Sequence, residues 1–139
     1  MAIIDGTDLI MGRLASLVAE RLLLGEKIDI VNCENVVISG KRKSILLDFK
    51  NKRERGIPKG PLYPKYPNMI VKRTIRGMLP YKQSKGVVAL KNIKCHIGIP
   101  FQFKDKTMEV LENANVNKLP NFKFVKLRDI SIQIGAKLE

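Results

Sequence analysis

The sequence predicts an α/β domain layered around a mostly parallel sheet, and three observations predict it. Short apolar runs alternate with stretches of helical period along the first two-thirds of the chain. Hydrophobic residues make up 45% of the 139 positions, enough for a real core within one ordinary domain spanning residues 1–139. No internal repeat, linker or low-complexity tract calls for a second.

The elements follow in order. Residues 2–5 form a short apolar run stopped by Gly6, a buried strand. Over residues 9–24 the period becomes helical, with Ile10, Leu14, Leu17 and Val18 on one face, Asp8 as candidate N-cap and Gly25 as stop. Residues 27–32 and 36–39 read as strands, the second ended by Gly40. A helix over 43–55 buries Ile45, Leu46 and Phe49 and turns Lys50, Lys52 and Arg53 outward. Residues 56–67 hold four prolines and two glycines, which excludes a regular helix or central strand and leaves a stiff basic loop. A third helix covers 68–79 and stops before Pro80. A short helix follows at 84–91 and a strand at 94–98. Residues 107–113 read as a helical turn or two and 122–126 as a short strand. Over 127–135, Ile130, Ile132 and Ile134 alternate, and local pattern alone favours a strand.

Charge separates the function classes. The formal net charge is +13, from 26 Lys plus Arg against 13 Asp plus Glu. Between Lys41 and Lys91 stand fifteen cations and two acids, Asp48 and Glu54; the remainder carries eleven of each sign. A solvated face mixes signs, whereas a one-sign stretch this dense repels itself until a polyanion arrives. Nucleic acid is the natural counter-ion, and an anionic membrane surface is the weaker alternative.

Other classes find little support. No run of about 18 apolar residues exists, and the opening residues lack the basic head and apolar stretch of a secretory signal, so the expected location is cytoplasmic. Cys33, Cys95 and the single His96 have no zinc-ligand spacing; the thiols are expected free and buried in apolar strands, with no metal. The turn from Gly6 to Gly12 is neither G-x-G-x-x-G nor G-x-x-x-x-G-K-[ST], because Leu9, Ile10 and Met11 fill the gap. No acid pair or nucleophile–base arrangement is legible. Neither an enzyme, a cofactor nor a small-molecule substrate is expected.

The basic region carries the chemistry. On the third helix Lys72, Arg73 and Arg76 share one side, and Val71, Ile75, Met78 and Leu79 share the other. Arginine forks two donors onto one phosphate, and lysine supplies a mobile point charge. Lys41, Arg42 and Lys43 precede the second helix at its positive dipole end, which also favours phosphate. Tyr63 and Tyr66 serve equally well as rings for unpaired bases or as anchors of the proline loop.

Recognisable text then appears. Arg73-Thr74-Ile75-Arg76-Gly77-Met78-Leu79-Pro80-Tyr81-Lys82, followed by Ala89-Leu90-Lys91-Asn92 and Ile97-Gly98-Ile99-Pro100, closely resembles the universal large-subunit ribosomal protein thirteen family. Asp5-Gly6, Gly12-Arg13-Leu14-Ala15-Ser16 and Val37-Ile38-Ser39-Gly40-Lys41 are similar to the same family, so the resemblance runs along essentially the whole chain. The short C-terminus and the Pro80-Tyr81-Lys82 variant look like the archaeal branch. The resemblance implies a three-layer α/β/α domain with a four-stranded, mostly parallel sheet, and a terminal helix over 127–135 in place of the locally favoured strand. It further implies large-subunit ribosomal RNA and neighbouring ribosomal proteins as partners, and a part in subunit assembly. Carried onto matching positions, the RNA-binding candidates are Lys41, Arg42, Lys43, Arg53, Arg55, Lys59, Lys65, Lys72, Arg73, Arg76, Lys82 and Lys85, with Tyr63 and Tyr66 beside them. Arg13 is a lesser candidate, and basic residues near the C-terminus are sparser than the family leads one to expect. A free-standing regulator binding RNA or DNA through the same surface is the alternative.

Overall fold

In the computed structural model the structure describes residues 2–55, 63–121 and 123–138. Strand β1 (Ala2–Asp5) pairs in parallel with β2 (Ile28–Val31), which pairs in parallel with β4 (Ile93–Cys95). Helix α1 (Met11–Leu23) makes the crossover from β1 to β2. Its buried stripe, Leu14, Ala15, Val18, Ala19 and Leu22, recurs at three- and four-residue steps, the helical period that seats one face on a sheet. Gly25 ends this crossover at φ +95°, a conformation that suits glycine. Asp8 does not cap the helix; it lies at φ +58° within the preceding turn, and the cap position falls to Ile10, whose side chain offers no acceptor.

The parallel sheet holds three strands among the described residues, where four were expected. Val36–Ser39 supplies a strand, β3 (Val37–Ser39), but it pairs antiparallel with β5 (Phe124–Lys126). Asn32 is the reason: at φ +56° it turns the chain out of β2 into a single 3-10 turn, Cys33–Asn35. Asn32 Nδ2 donates to Asp5 Oδ1 at 3.0 Å, which fixes that corner.

Four further helices complete the chain: α2 (Arg42–Glu54), α3 (Pro67–Gly77), α4 (Ser84–Lys91) and α5 (Leu127–Gln133). Proline opens α3, where its missing N–H costs nothing. The last helix settles residues 127–135 in favour of the resemblance and against the local alternation. Leu127, Ile130 and Ser131 are buried and Ile134 is half-buried, a three-and-four spacing, while Ile132 is exposed. Residues 107–113 are largely extended rather than helical, since Glu109 bridges to Ile4 beside β1 and only Glu112–Ala114 coils. One core joins Ile4, Leu14, Val18, Ile28 and Ile30 to Ile70 and Ile75 of α3, Phe49 of α2 and Ile130 of α5.

Candidate nucleic-acid interface

The cationic segment folds into α2, α3 and α4, which the core fastens by their apolar faces. On α3, Ile70, Val71 and Ile75 are fully buried, and Lys72, Arg73 and Arg76 are exposed, as expected from their spacing. Leu79 is buried too, but Met78 is exposed, because the helix stops at Gly77 and the periodicity stops with it. On α2, Ile45 and Phe49 are buried and Leu46 is half-buried; Lys50 is exposed, while Lys52 and Arg53 are half-covered by the segment that follows.

That segment, residues 63–66, lies across the end of α2 and leads into α3. Arg53 Nη1 donates to the Tyr63 carbonyl, tying the strap down. The Tyr63 ring meets Phe49 edge-on at 5.9 Å and lies under the Arg73 guanidinium at 4.9 Å. Burial pushes its hydroxyl pKa up; Arg73 opposes that shift and Asp48 reinforces it. Tyr63 therefore packs down as an anchor. Arg53 and Arg73 each have part of their donor surface turned to it.

Between this strap, α3 and α4 opens a groove of about 540 Å³. Arg53, Lys65, Lys72, Arg73 and Arg76 stand around it, and Tyr63, Pro64, Tyr66, Met69 and Leu90 supply its apolar lining. Seven of the candidates named from sequence thus converge on one concavity. None of Lys65, Lys72, Arg73 and Arg76 has a recorded ion-pair partner among the described residues, whereas Arg21, outside the segment, is paired with Glu26 at 2.9 Å and Glu109 at 3.0 Å. Unpaired cations around a concave surface sum their fields there.

The other candidates do not line this groove. Lys41, Arg42 and Lys43 lie at the opposite end of α2, roughly 17 Å from Arg53 by helical rise. Arg42 is shared with Asp129 of α5 at 3.5 Å, which tempers that patch. Lys82 is exposed between α3 and α4, Lys85 is exposed on the first turn of α4, Arg55 is exposed just past α2, and Arg13 is exposed on the first turn of α1. Lys59, with the rest of residues 56–62 of the proline-rich loop, lies outside the described residues. Sequence reading missed Met69 and Leu90 as part of the site. The signal was present for Met69: Tyr66, Met69, Lys72, Arg73 and Arg76 fall within about one-third of a helical circumference.

Elsewhere, Cys33 is buried and Cys95 half-buried, both free; Cys33 sits in the 3-10 turn, not in a strand. The neighbouring Cys95 thiol and burial push the Cys33 thiol well above its ordinary pKa, and Cys33 Sγ donates to the Ile30 carbonyl oxygen at 3.7 Å. His96, just past β4, pairs through Nε2 with the buried Asp29 carboxylate at 3.0 Å and stacks edge-on against Phe103 at 5.5 Å. Among the described residues no cluster of three or more His, Cys, Asp or Glu is arranged to hold a metal, and no helix is long and apolar enough to cross a membrane.

A mixed α/β fold with a parallel sheet, presenting cations without ion-pair partners among the described residues around an apolar-floored groove, defines a class: basic α/β proteins with a concave cationic face. Comparison with known proteins makes the class particular. The family description "Ribosomal protein L13" matches residues 1–102. The large ribosomal subunit protein uL13 of Methanosarcina barkeri is 45% identical over 99% of both chains. Its counterpart from Methanococcoides burtonii is 43% identical over 99% of both, and that of Methanopyrus kandleri 37% identical over 98% of this chain and 87% of its own. The chain belongs to the ribosomal protein L13 family.

Proposed function

We propose that this protein is a structural, non-catalytic constituent of the large ribosomal subunit in the cytoplasm, holding large-subunit ribosomal RNA and supporting subunit assembly. The observation that carries the reading is the convergence of Lys65, Lys72, Arg73 and Arg76 around one groove on a chain whose family relatives are named as large-subunit proteins. Lys65, Lys72, Arg73 and Arg76 contact phosphates directly, with Lys82 and Lys85 extending the surface. Arg55 and Lys59 continue it past α2, and Lys41, Arg42 and Lys43 form a second, smaller patch. Arg53 and Tyr63 act mainly by positioning the strap, and Tyr66 is the ring open to RNA. Neighbouring ribosomal proteins meet the faces outside this surface. The whole chain, residues 1–139, acts as one RNA-binding domain. The layered α/β/α order belongs to the same proposal, supported by α1 packing on α3 and α4 and by α2 packing on α5, the two groups touching where α3 meets α5.

Sedimentation tests the reading. A tagged copy expressed in cells should travel with the large subunit through sucrose gradients at moderate salt and leave it only when the subunit is stripped. A protein found free of ribosomal particles at every salt, and recovered from cells with particular messenger RNAs or DNA sites instead, is the free-standing regulator.

A further inference from the structure

The floor and the rim of the groove ask for different chemistries. Lys65, Lys72 and Arg76 are suited to phosphate, but Met69 is 53% exposed between them and Tyr66 and Leu90 are half-exposed. A surface that only tracks phosphates gains nothing from keeping apolar side chains open to water. An A-form duplex is convex and offers phosphates, 2′-hydroxyls and a shallow minor groove, so it would bridge the concavity and leave its floor wet. A ligand with a flat apolar face and an anionic link on either side satisfies floor and rim together. That ligand is an unpaired nucleotide.

Resting on the RNA-binding reading above, we propose that the groove seats one everted RNA base, a bulged or looped-out nucleotide laid against Tyr66 and Met69 with its flanking phosphates on Lys72 and Arg76. The volume of about 540 Å³ falls within the roughly 300–1,000 Å³ of small-ligand sites. Of the two tyrosines, Tyr63 is committed to Phe49 and Arg73, whereas the recorded partner of the Tyr66 ring is the mobile Lys65 ammonium, 5.7 Å from its centroid. Every base has a π-face, so stacking here selects an unpaired base without selecting its sequence.

Three RNA hairpins of one sequence test this by fluorescence anisotropy with the full chain: one fully paired, one with a single bulged adenosine, and one with an abasic bulge. The bulged hairpin should bind about ten-fold tighter than the paired one, the gain of one stacked base, and the abasic hairpin should lose that gain. Tyr66→Ala should abolish the preference and Tyr66→Phe keep it, and 2-aminopurine placed in the bulge should be quenched on binding. Equal affinity for the paired and bulged hairpins overturns the base seat and leaves the RNA-binding reading standing. A preference that survives base removal, or displacement of the bulged hairpin by an acidic aromatic peptide but not by a bulged competitor, does the same. Absence of binding to all three at 50 mM salt overturns the RNA-binding reading itself.

Discussion

Arg76 illustrates how one side chain can be exposed and still constrained. Its guanidinium lies over the Tyr81 ring at 5.2 Å, which limits its motion at the groove mouth, and its donors meet no acid among the described residues. Arg76→Ala should leave the fold intact, weaken binding to large-subunit RNA several-fold and make the salt dependence shallower by about one phosphate, measured as affinity against salt. Unchanged affinity together with an unchanged slope would remove Arg76 from the contact set. Other residues act on stability. Asp29 is buried with His96 as its recorded partner, so His96→Ala strands a carboxylate. A loss of about 1–3 kcal/mol or more is expected in urea unfolding. At Asp5 burial raises the pKa, but hydrogen bonds from Asn32 and Thr7 outweigh it and hold the carboxyl below its ordinary value. A carboxyl depressed in the folded state stabilises above its unfolded value, and that contribution disappears as pH falls below about 4 and through the folded value. Asp5→Asn should therefore flatten the acid side of a plot of melting temperature against pH; an unchanged acid limb would contradict the assignment.

Helix α4 shows how an element is positioned by what it lacks. A Cβ on Gly86 would stand 1.9 Å from the Pro80 carbonyl oxygen and 2.8 Å from the Tyr81 nitrogen, both backbone atoms that cannot swing aside. The helix thus lies directly on the turn that leaves α3, and this contact helps set Leu90 against the groove. Gly86→Ala should cost about 3 kcal/mol, at the upper end for overpacking, with a drop in melting temperature to match. At this scale most of the fold was legible in the sequence. The strand and helix runs through residue 91 lie within a residue or two of where periodicity and punctuation put them: the helices bury one face, the central strand β2 is buried on both, and Gly6, Gly25, Asn32 and Gly40 stand at the ends of the first four. The misreadings have physical causes. Residues 127–135 contain two overlapping patterns, and the alternating isoleucines obscured the helical set of Leu127, Ile130, Ser131 and Ile134. The pairing of β3 with β5 joins segments more than eighty residues apart, and nothing local announces it. The groove was legible in part: α3 displayed its cations in the sequence, but that Leu90 and the strap close the concavity depends on packing between elements.

Across the whole molecule the charge is divided. The chain outside Lys41–Lys91 is formally neutral and has acids near its cations, as at Arg21 with Glu26 and Glu109. The central helices carry the excess, and the groove's cations have no such partners among the described residues. RNA should therefore be held by one face and not by a diffuse positive surface. The salt dependence of binding to large-subunit ribosomal RNA measures this most directly. With Lys65, Lys72 and Arg76 all changed to Gln, the slope of log affinity against log salt should become shallower by roughly two to three. The same charge removed at Lys104, Lys106 and Lys118, outside the segment, should leave the slope unchanged. Equal losses from the two triple variants would mean that the cations act wherever they lie, and would contradict a dedicated RNA face.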